Sequence, residues 1–403
     1  MVRPERRTRA DVVAAIAIGV VVVVVGVFIW WTSDARATVS RPAAAPLATL
    51  PSAEDVPASL RELWRAASPK TTTPVVVGGA VVTGDGRTVE GRDPATGEVA
   101  WSYARDRELC GVSWVYQYAV AVYPDRRGCG QVSTIDARTG RRGPARTSYA
   151  DKHVTLSSDG TAVLSAGENR LELWRSDMVR MLSYGALDAP FKPDVPATPL
   201  CRFVSAAASS EAVSVLADCP DEPDLRLTLL RPSDEEDTPN VRVVPQPGIG
   251  ADSGAKVIAV AGTTTAVYVP TPRPTVHIVD EQGTTTASVP LPRPPAPQST
   301  ATYTGDLITW WTGDHVLVFD DDLRYRFMVT PAGADAPLGP GATMAGRLLV
   351  PVTGGYDVFD AESGAGERHI PVPRDATAGP VVPAVAGELI VEQRGDRIVA
   401  LGA

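Results

Sequence analysis

The hydrophobic pattern of the chain changes at residue 32. Before this point, residues 12–31 form a run of 20 apolar residues without a charge. After it, short runs rich in Val and Thr alternate with polar segments that contain Gly, Pro and Asp. The first pattern predicts a helix of about 30 Å, which matches the hydrocarbon core of a bilayer. The second predicts many short strands joined by tight turns, and therefore an all-β domain.

The residues on either side of the apolar run indicate its orientation. The run ends in Trp30 and Trp31, where an aromatic belt lies at a membrane interface. Four arginines precede it: Arg3, Arg6, Arg7 and Arg9. The positive-inside rule then predicts a cytoplasmic tail (residues 1–11), a single transmembrane helix (residues 12–31) and an extracytoplasmic remainder. We therefore expect a single-pass protein of the cell membrane.

A cleaved signal peptide is the alternative interpretation of this segment. Residues 35–37, with the sequence ARA, resemble a cleavage site. The apolar run is longer than a typical h-region of roughly 7–15 residues, which favours an uncleaved anchor. Residues 32–60 are rich in Ala and Pro and have no hydrophobic period. We interpret them as a semi-extended linker that holds the β domain off the membrane.

A turn motif, first seen in GRDPATGEVAWSY at residues 91–103, recurs along the β domain. An Asp lies between two strand-like runs and, except at Asp320, is followed by a Gly three or four residues later. The Asp carboxylate can accept backbone N–H bonds two or three residues on, and the Gly supplies positive φ. We interpret these residues as structural, and not as catalytic or metal-binding. They are Asp93, Thr96, Gly97, Trp101, Asp136, Thr139, Gly140, Asp280, Gly283, Asp320, Asp360 and Gly364.

The spacing of these turns predicts the architecture. The first two Asp are 43 residues apart, and the last three follow one another at intervals of 40. The gap of 144 between Asp136 and Asp280 leaves room for two weakly marked units, with turns near Asp177 and Asp234. A four-stranded unit repeated at this period is typical of a β-propeller. We predict eight blades, with seven as the alternative.

The two ends of the β domain complete each other. The last unit stops at Gly402, which aligns with the turn Asp, so this unit lacks its outer strand. The segment RELWRAA at residues 61–67 precedes the first unit, and its Leu63 and Trp64 parallel the outer strand that contains Trp101. Since unpaired strand edges are a liability, we predict that this segment closes a propeller of residues 61–403 as the outer strand of the last blade.

The repeat resembles that of the pyrroloquinoline quinone-type (quinoprotein-like) β-propellers. Asp93, Thr96, Gly97 and Trp101 match the pattern, which thins in later units. This superfamily includes quinoprotein dehydrogenases and the propeller lipoprotein of the outer-membrane barrel-assembly machinery. The resemblance implies the fold strongly and the function poorly. No Cys lies near the apolar run, which disfavours a lipoprotein anchor.

Enzyme chemistry is not favoured by the residues. The resemblance to quinoprotein dehydrogenases implies calcium held by Glu, Asn and Asp, a general-base Asp and often adjacent cysteines, and none of these transfers to this sequence. The four His are isolated, and the acidic run at residues 320–322 begins at a repeat turn. We therefore expect no catalytic residues, no metal and no cofactor. A quinone-dependent dehydrogenase is the alternative.

The cysteines predict two disulfides. Cys110 and Cys129 are 19 residues apart, Cys201 and Cys219 are 18 apart, and each pair brackets a strand-rich stretch. In an exported domain this spacing favours two local bonds, Cys110–Cys129 and Cys201–Cys219, each within one blade. We expect each to join the start of one strand to the end of its hairpin neighbour.

The remaining sequence features concern partners. The net charge of −9 and the absence of a basic block argue against nucleic acid. Trp310 and Trp311 are adjacent and should face opposite sides of one strand, and Trp114 and Tyr116 form a second aromatic group. Packing between blades is the favoured interpretation, although an exposed member could anchor a ligand. We predict a non-catalytic extracytoplasmic scaffold that binds an envelope protein or peptide.

Overall fold

The computed structural model describes residues 8–33, 36–186, 201–234, 238–331, 336–375 and 379–403. Helix α1 (Arg9–Trp31) begins at a capping box, in which the Thr8 hydroxyl accepts the Asp11 N–H (3.3 Å) and the Asp11 carboxylate accepts the Thr8 N–H (2.7 Å). By length and composition α1 is a candidate membrane span, and a signal sequence has the same properties. Most of the predicted cytoplasmic tail lies outside the described residues.

The strands that follow form eight antiparallel sheets, which are the blades of a β-propeller. Strands β1 (Val39–Arg41) and β2 (Arg61–Ala67) precede the first blade in sequence. The strands of each blade are given from the inside outward. Blade 1 contains β3 (Val75–Val77), β4 (Ala80–Asp85), β5 (Thr88–Arg92) and β6 (Val99–Ala104), and blade 2 contains β7 (Gly111–Val115), β8 (Tyr118–Asp125), β9 (Gly128–Asp136) and β10 (Arg142–Thr147). Blade 3 contains β11 (Thr155–Ser158), β12 (Ala162–Ala166), β13 (Arg170–Arg175) and β14 (Arg180–Gly185), and blade 4 contains β15 (Arg202–Ala208), β16 (Val213–Asp218), β17 (Arg226–Arg231) and β18 (Asn240–Pro245).

The second half of the ring repeats this plan after a 3₁₀ helix at Ala251–Ser253. Blade 5 contains β19 (Lys256–Ala261), β20 (Thr264–Val269), β21 (Thr275–Val279) and β22 (Thr285–Pro290), and blade 6 contains β23 (Thr300–Thr304), β24 (Leu307–Trp311), β25 (Val316–Asp320) and β26 (Tyr325–Val329). Blade 7 contains β27 (Ala342–Met344), β28 (Arg347–Val352), β29 (Gly355–Asp360) and β30 (Gly366–Pro371). Blade 8 contains β31 (Val381–Ala386), β32 (Leu389–Arg394), β33 (Arg397–Gly402) and β2.

Eight blades are therefore present, and the seven-bladed alternative is wrong. The innermost strands contact their neighbours around the ring, and β31 of the last blade meets β3 of the first. The third and fourth units are complete blades although their turns lack the Gly of the motif. In the third, Met178 adopts the positive φ (64°) that Gly97 supplies in the first, as Leu323 (61°) does in the sixth. The missing Gly is one reason why the third unit is weakly marked in sequence.

The hydrophobic core lies between the blades. Middle strands are buried on both faces, as in β25, where Val316 to Phe319 are all inaccessible to solvent. Such strands have continuous apolar sequences and not an alternating pattern. Between blades 1 and 2, Trp101 and Tyr103 pack with Tyr123. Each blade is thus stabilised by contact with its neighbours.

The recurrent Asp residues close the turn between the third and fourth strands of their blades. The Asp93 carboxylate accepts the backbone N–H groups of Ala95 (2.9 Å) and Thr96 (3.0 Å), and Gly97 has φ 75°. The other turns have the same arrangement at Asp136 with Thr139, Asp280 with Gln282, Asp320 with Asp322, and Asp360 with Ser363. These residues shape the backbone, as the sequence indicates.

Closure follows the predicted route. Strand β2 pairs antiparallel with β33, so that Trp64 lies opposite Ala400 and Arg65 opposite Val399. A bulge between Glu62 and Trp64 leaves Leu63 against Gly402. Trp64 also packs with Val391 and Ile398 of the same blade. The N-terminal segment is therefore the outer strand of blade 8.

Both disulfides lie within single blades and match the predicted pairs. Cys201 and Cys219 join the start of β15 to the end of β16, as expected. Cys110, just before β7, is bonded to Cys129 near the start of β9, which is the third strand of the blade and not the hairpin neighbour. The first bond therefore spans the end of β8, because β8 and β9 join through a tight turn at that end of the blade.

The predicted free linker packs on the propeller instead. Val39–Arg41 pairs with β6 as a fifth strand of blade 1. Further on, the Leu47 N–H donates to the Arg138 carbonyl (2.9 Å), and the Arg138 Nε–H donates to the Leu47 carbonyl (3.1 Å). Val56 and Leu60 are buried in the core of blades 7 and 8. We call residues 42–60 the strap. The sequence of the strap has no hydrophobic period because the strap crosses the ends of the blades and forms no helix or strand.

The strap lies on one end of the propeller. We call this end the turn face, because it carries the loops between the first and second strands and between the third and fourth strands of each blade. Ala48 lies over Gly79 of blade 1, and Leu50 over Gly387 of blade 8. The opposite end, where successive blades are joined, is the connection face. The strap thus crosses the turn face from blade 2, where Leu47 contacts Arg138, over blades 1, 8 and 7.

Candidate functional site

The propeller axis contains two adjoining cavities, of about 620 Å³ and about 590 Å³. Both are lined by Thr155, Ser157, Thr300 and Tyr303, so they form one channel between the inner strands. Each volume falls in the range of roughly 300–1,000 Å³ that accommodates small ligands. We take this channel as the candidate site.

The channel wall consists mainly of neutral, small side chains. Thr155 and Ser157 of β11 are exposed to it, and Ala206 and Ala207 of the neighbouring inner strand β15 line the first cavity. Inner strands of a propeller converge on the axis, and small side chains there leave the channel open. The wall therefore offers hydroxyl groups and methyl groups to a ligand.

Tyr303 is an exposed aromatic side chain of this wall, which Phe203, Trp310 and Trp114 also line. Its hydroxyl accepts the Val260 N–H (3.1 Å) and donates to the Val260 carbonyl (2.9 Å), while 38% of the residue stays exposed. Burial of the hydroxyl raises its pKa to about 12, partly opposed by the hydrogen bond from Val260. Tyr303 thus presents its ring to the channel and stays protonated at neutral pH.

Lys256 lies at the connection-face end of the first cavity. It is the first residue of β19, and its ammonium group donates to Ser299 Oγ at 2.9 Å. Burial lowers the pKa of Lys256. Apart from Tyr303 and Lys256, the ionisable residues that line the two cavities in the described chain are His153, Asp159 and Glu168.

Two acidic residues, Glu172 and Asp159, are engaged in structural contacts. Glu172 is buried between blades 2 and 3, where it pairs with Arg170 (2.6 Å). Burial alone would raise its pKa, but the charge of Arg170 and hydrogen bonds from Ser148 and Trp174 bring the pKa below the usual value. Asp159 at the channel accepts the N–H groups of Thr161 and Ser210 with separate oxygens. These carboxylates therefore serve the fold.

The residues of the channel do not fit the calcium ligand set that the quinoprotein resemblance implies. Asp159 is occupied by backbone N–H groups, and Glu168 is exposed at the other end of the wall. Among the described residues, no three His, Cys, Asp or Glu side chains come together as a metal site requires. Asp320, where the acidic run begins, accepts backbone N–H groups in its turn.

The histidines and aromatic residues are scattered over the fold. His315 and His369 each contact a carboxylate, at Asp314 and Asp357 (both 2.7 Å), which the sequence pattern did not indicate. Trp310 and Trp311 are both buried on opposite faces of β24, in separate clusters, as predicted.

Tyr116 is the exposed member of the aromatic groups. It is 71% accessible at the turn face and has φ 53°, while Trp114 beside it packs over Gly160. Lys256 is the functional candidate that sequence reasoning missed. It begins a strand-like run that looks like any other, and only the ring brings it to the axis.

Comparison with known proteins supports the fold and no more. The sequence matches no protein-family model and no curated protein. Among solved structures, the computationally designed Ika8 protein has a TM-score of 0.55 at 13% identity, over 86% of this chain and 100% of Ika8. Sqt1 of Saccharomyces cerevisiae gives 0.52 at 10%, over 86% and 99%. BamB from Moraxella catarrhalis gives 0.49 at 14%, over 85% and 100%. These identities establish similarity of fold alone.

Proposed function

We propose that the chain is a non-catalytic binding module of the cell envelope, anchored by α1 with its propeller outside the cytoplasm. Its channel binds a protein segment or other ligand at the propeller axis. The two disulfides support an oxidising compartment, since such bonds persist outside the cytoplasm. The four arginines before α1 support the orientation.

The observation that carries this proposal is the wall of the channel. It is open, mainly neutral and rich in hydroxyl groups such as those of Thr155 and Ser157. General acid–base catalysis needs a titratable group that is free to exchange a proton near the reacting atom. At this wall, Asp159 holds backbone N–H groups, Tyr303 stays protonated and the Lys256 ammonium group is bonded to Ser299. The other two titratable residues of the wall are His153 and Glu168. Such a surface is suited to contact and orientation of a ligand.

Position-specific crosslinking in intact cells tests the proposal. A photoreactive amino acid at Ser157, in the channel, should capture a defined partner or ligand. The same residue at Val243, which is exposed on the outer strand of blade 4, is the matched control and should not capture it. Identical products from both positions, or none from Ser157, would contradict binding in the channel.

A second experiment tests the absence of catalysis. The purified protein is incubated with pyrroloquinoline quinone, calcium and a panel of alcohols, and reduction of an artificial electron acceptor is followed. We expect the rate to equal that of the reaction without protein. A saturable, protein-dependent rate would instead establish a quinone-dependent dehydrogenase.

A further inference from the structure

The environment of Lys256 contains only neutral hydrogen-bond acceptors. Its Nζ donates to Ser299 Oγ (2.9 Å), to the Ser299 carbonyl (3.3 Å) and to the Pro297 carbonyl (3.3 Å). These atoms belong to the connection between blades 5 and 6. The ammonium group is therefore held in place at the mouth of the first cavity, on the connection face.

The charge of Lys256 is not balanced by the protein. Within the described residues, no carboxylate lies within ion-pair distance of its Nζ, whereas Lys70 pairs with Glu108 (3.9 Å). The lowered pKa of Lys256 has the same cause, because burial is not offset by a negative charge. Holding the connection needs only a neutral donor. The fold therefore does not require a positive charge at this position, although burying a cation without a counter-ion is costly.

The surroundings restrict the kind of anion that fits. Glu168 lines the same cavity and disfavours a second negative charge on the ligand. Beyond Lys256 the wall is mainly neutral, with Ser205, Ala206 and Thr300 along it, and the two cavities adjoin. The carboxylate of Asp159, in the second cavity, is taken up by backbone N–H groups. The strap covers part of the turn face, and the connection-face mouth lies at the opposite end of the channel. An elongated ligand with one anionic end matches this arrangement.

We propose that Lys256 binds the terminal carboxylate of an elongated, otherwise uncharged ligand that enters the channel from the connection face. This inference rests on the proposed function and assigns the ligand chemistry of that site. A peptide C-terminus and an alkyl carboxylic acid share this chemistry. The test below separates them.

Competitive acylation of lysines in the full-length protein, purified in detergent, tests the site. A trace of an amine-acylating reagent is added, and peptide mapping gives the labelling rate of Lys256, with exposed Lys152 as an internal reference. The probes are N-acetyl-trialanine, its C-terminal amide and hexanoate. At a probe concentration about ten times its Kd, labelling of Lys256 should slow about tenfold, and that of Lys152 should not change.

Each outcome decides the proposal. Protection by N-acetyl-trialanine alone assigns a peptide C-terminus, and protection by hexanoate assigns an alkyl acid; both support a carboxylate site. Equal protection by the amide, no protection by either acid, or no labelling of Lys256 in the free protein would overturn it. If Ser157 still crosslinks a partner in that case, the binding-module proposal stands and only the carboxylate site is wrong.

Variants provide an independent readout. Lys256→Gln keeps a hydrogen-bond donor for Ser299 and removes the charge, and Lys152→Gln is its matched surface control. The protecting acid should raise the Tm of the parent protein and of the Lys152 variant, and this rise should be absent in the Lys256 variant. An equal rise in all three proteins would place the binding elsewhere.

Discussion

The indole Nε1 of Trp64 donates a hydrogen bond of 2.8 Å to the carbonyl oxygen of Pro94. Trp64 belongs to the outer strand of blade 8, and Pro94 to the turn between the third and fourth strands of blade 1. Trp101 repeats the contact one blade further on, donating to the Ala137 carbonyl (2.7 Å). The ring is therefore closed twice, by strand pairing within blade 8 and by this contact onto blade 1.

The first prediction concerns Trp64. Trp64→Phe removes the donor but keeps most of the ring, so it should lower the free energy of unfolding by about 1 kcal/mol. Trp64→Ala also removes packing over Gly97, and the loss should reach about 3 kcal/mol. Denaturant titration of the full-length protein measures both. Tyr116→Ala, at an exposed site, is the control and should change little. Equal losses at both positions would contradict the role of Trp64.

The second prediction concerns the strap. Leu60 is 5% exposed and packs in the core of blades 7 and 8. Leu60→Ala should therefore lower the free energy of unfolding by about 2–5 kcal/mol. Deleting residues 39–51, which lie in the segment that the sequence predicts to be a linker, should also lower the Tm because it removes β1 and the contact of Leu47 with Arg138. Val99→Ala, on an exposed position, serves as the control. An unchanged Tm after the deletion would instead support the interpretation of residues 32–60 as a free linker.

The third prediction is a pH dependence. Glu392 is fully buried and pairs with Arg374 (2.6 Å) and Arg394 (2.5 Å). Burial alone would raise its pKa, but the two arginines and the Tyr356 hydroxyl lower it below the ordinary 4.5. A folded-state pKa below the unfolded one means that the stabilisation is present above the unfolded pKa and is lost as pH falls through the folded pKa. The Tm should therefore fall at pH values below about 4.5.

A substitution separates this ion pair from other acidic groups. Glu392→Gln leaves the Arg374 guanidinium buried without a counter-charge and should cost about 3–5 kcal/mol at neutral pH. The variant should also lose part of the acid dependence of the Tm. Glu62→Gln, which removes a surface pair with Arg65, should leave both properties unchanged. If the two variants behave alike, the buried cluster does not account for the pH dependence.

The fourth prediction concerns the disulfides. Non-reducing peptide mapping should find Cys110 linked to Cys129 and Cys201 linked to Cys219. Each bond closes a loop of about 20 residues, and its removal should cost on the order of 3 kcal/mol in the chain-entropy model. Single Cys→Ser variants compared by denaturation give this value. A peptide that links Cys110 to Cys201 would contradict the arrangement.

The fifth prediction concerns topology. A phosphatase fused after Ala403 should be active in cells, because this enzyme folds only outside the cytoplasm. Replacing Arg3, Arg6, Arg7 and Arg9 with Gln should reduce its activity, since these charges orient the helix. A silent phosphatase, together with an active cytoplasmic reporter at the same position, would reverse the orientation.

Local backbone chemistry explains why the fold could be predicted from the sequence. Turns such as that of Asp93 and Gly97 are encoded within a few residues. Their spacing predicts eight blades, with seven as the alternative because two of the turns are weakly marked. Closure by Trp64 could also be predicted, because the last unit lacks a strand and one unassigned strand carries the Trp of the repeat. Both predictions depend only on short motifs in the sequence and on the number of strand-like segments in each unit.

The strap and the channel could not be predicted in the same way. Leu47, Val56 and Leu60 are held by contacts with distant blades, and no periodicity in residues 42–60 reflects these contacts. Lys256 gains its position from the convergence of eight inner strands, which no local pattern records. The quinoprotein-type resemblance remains a prediction, because the structural comparisons address the fold alone.

In the membrane-anchored arrangement that we propose, the pairing of β1 with β6 also determines how force from the bilayer reaches the domain. Residues 32–38 separate α1 from Val39, and seven residues span at most about 25 Å, so the rim of blade 1 stays near the bilayer. Tension on the anchor is carried first by the three residue pairs between β1 and β6, and then by the strap. The closing strand β2 is loaded last. The pairing of β2 with β33, which closes the ring, therefore bears no tension until β1 and the strap have detached.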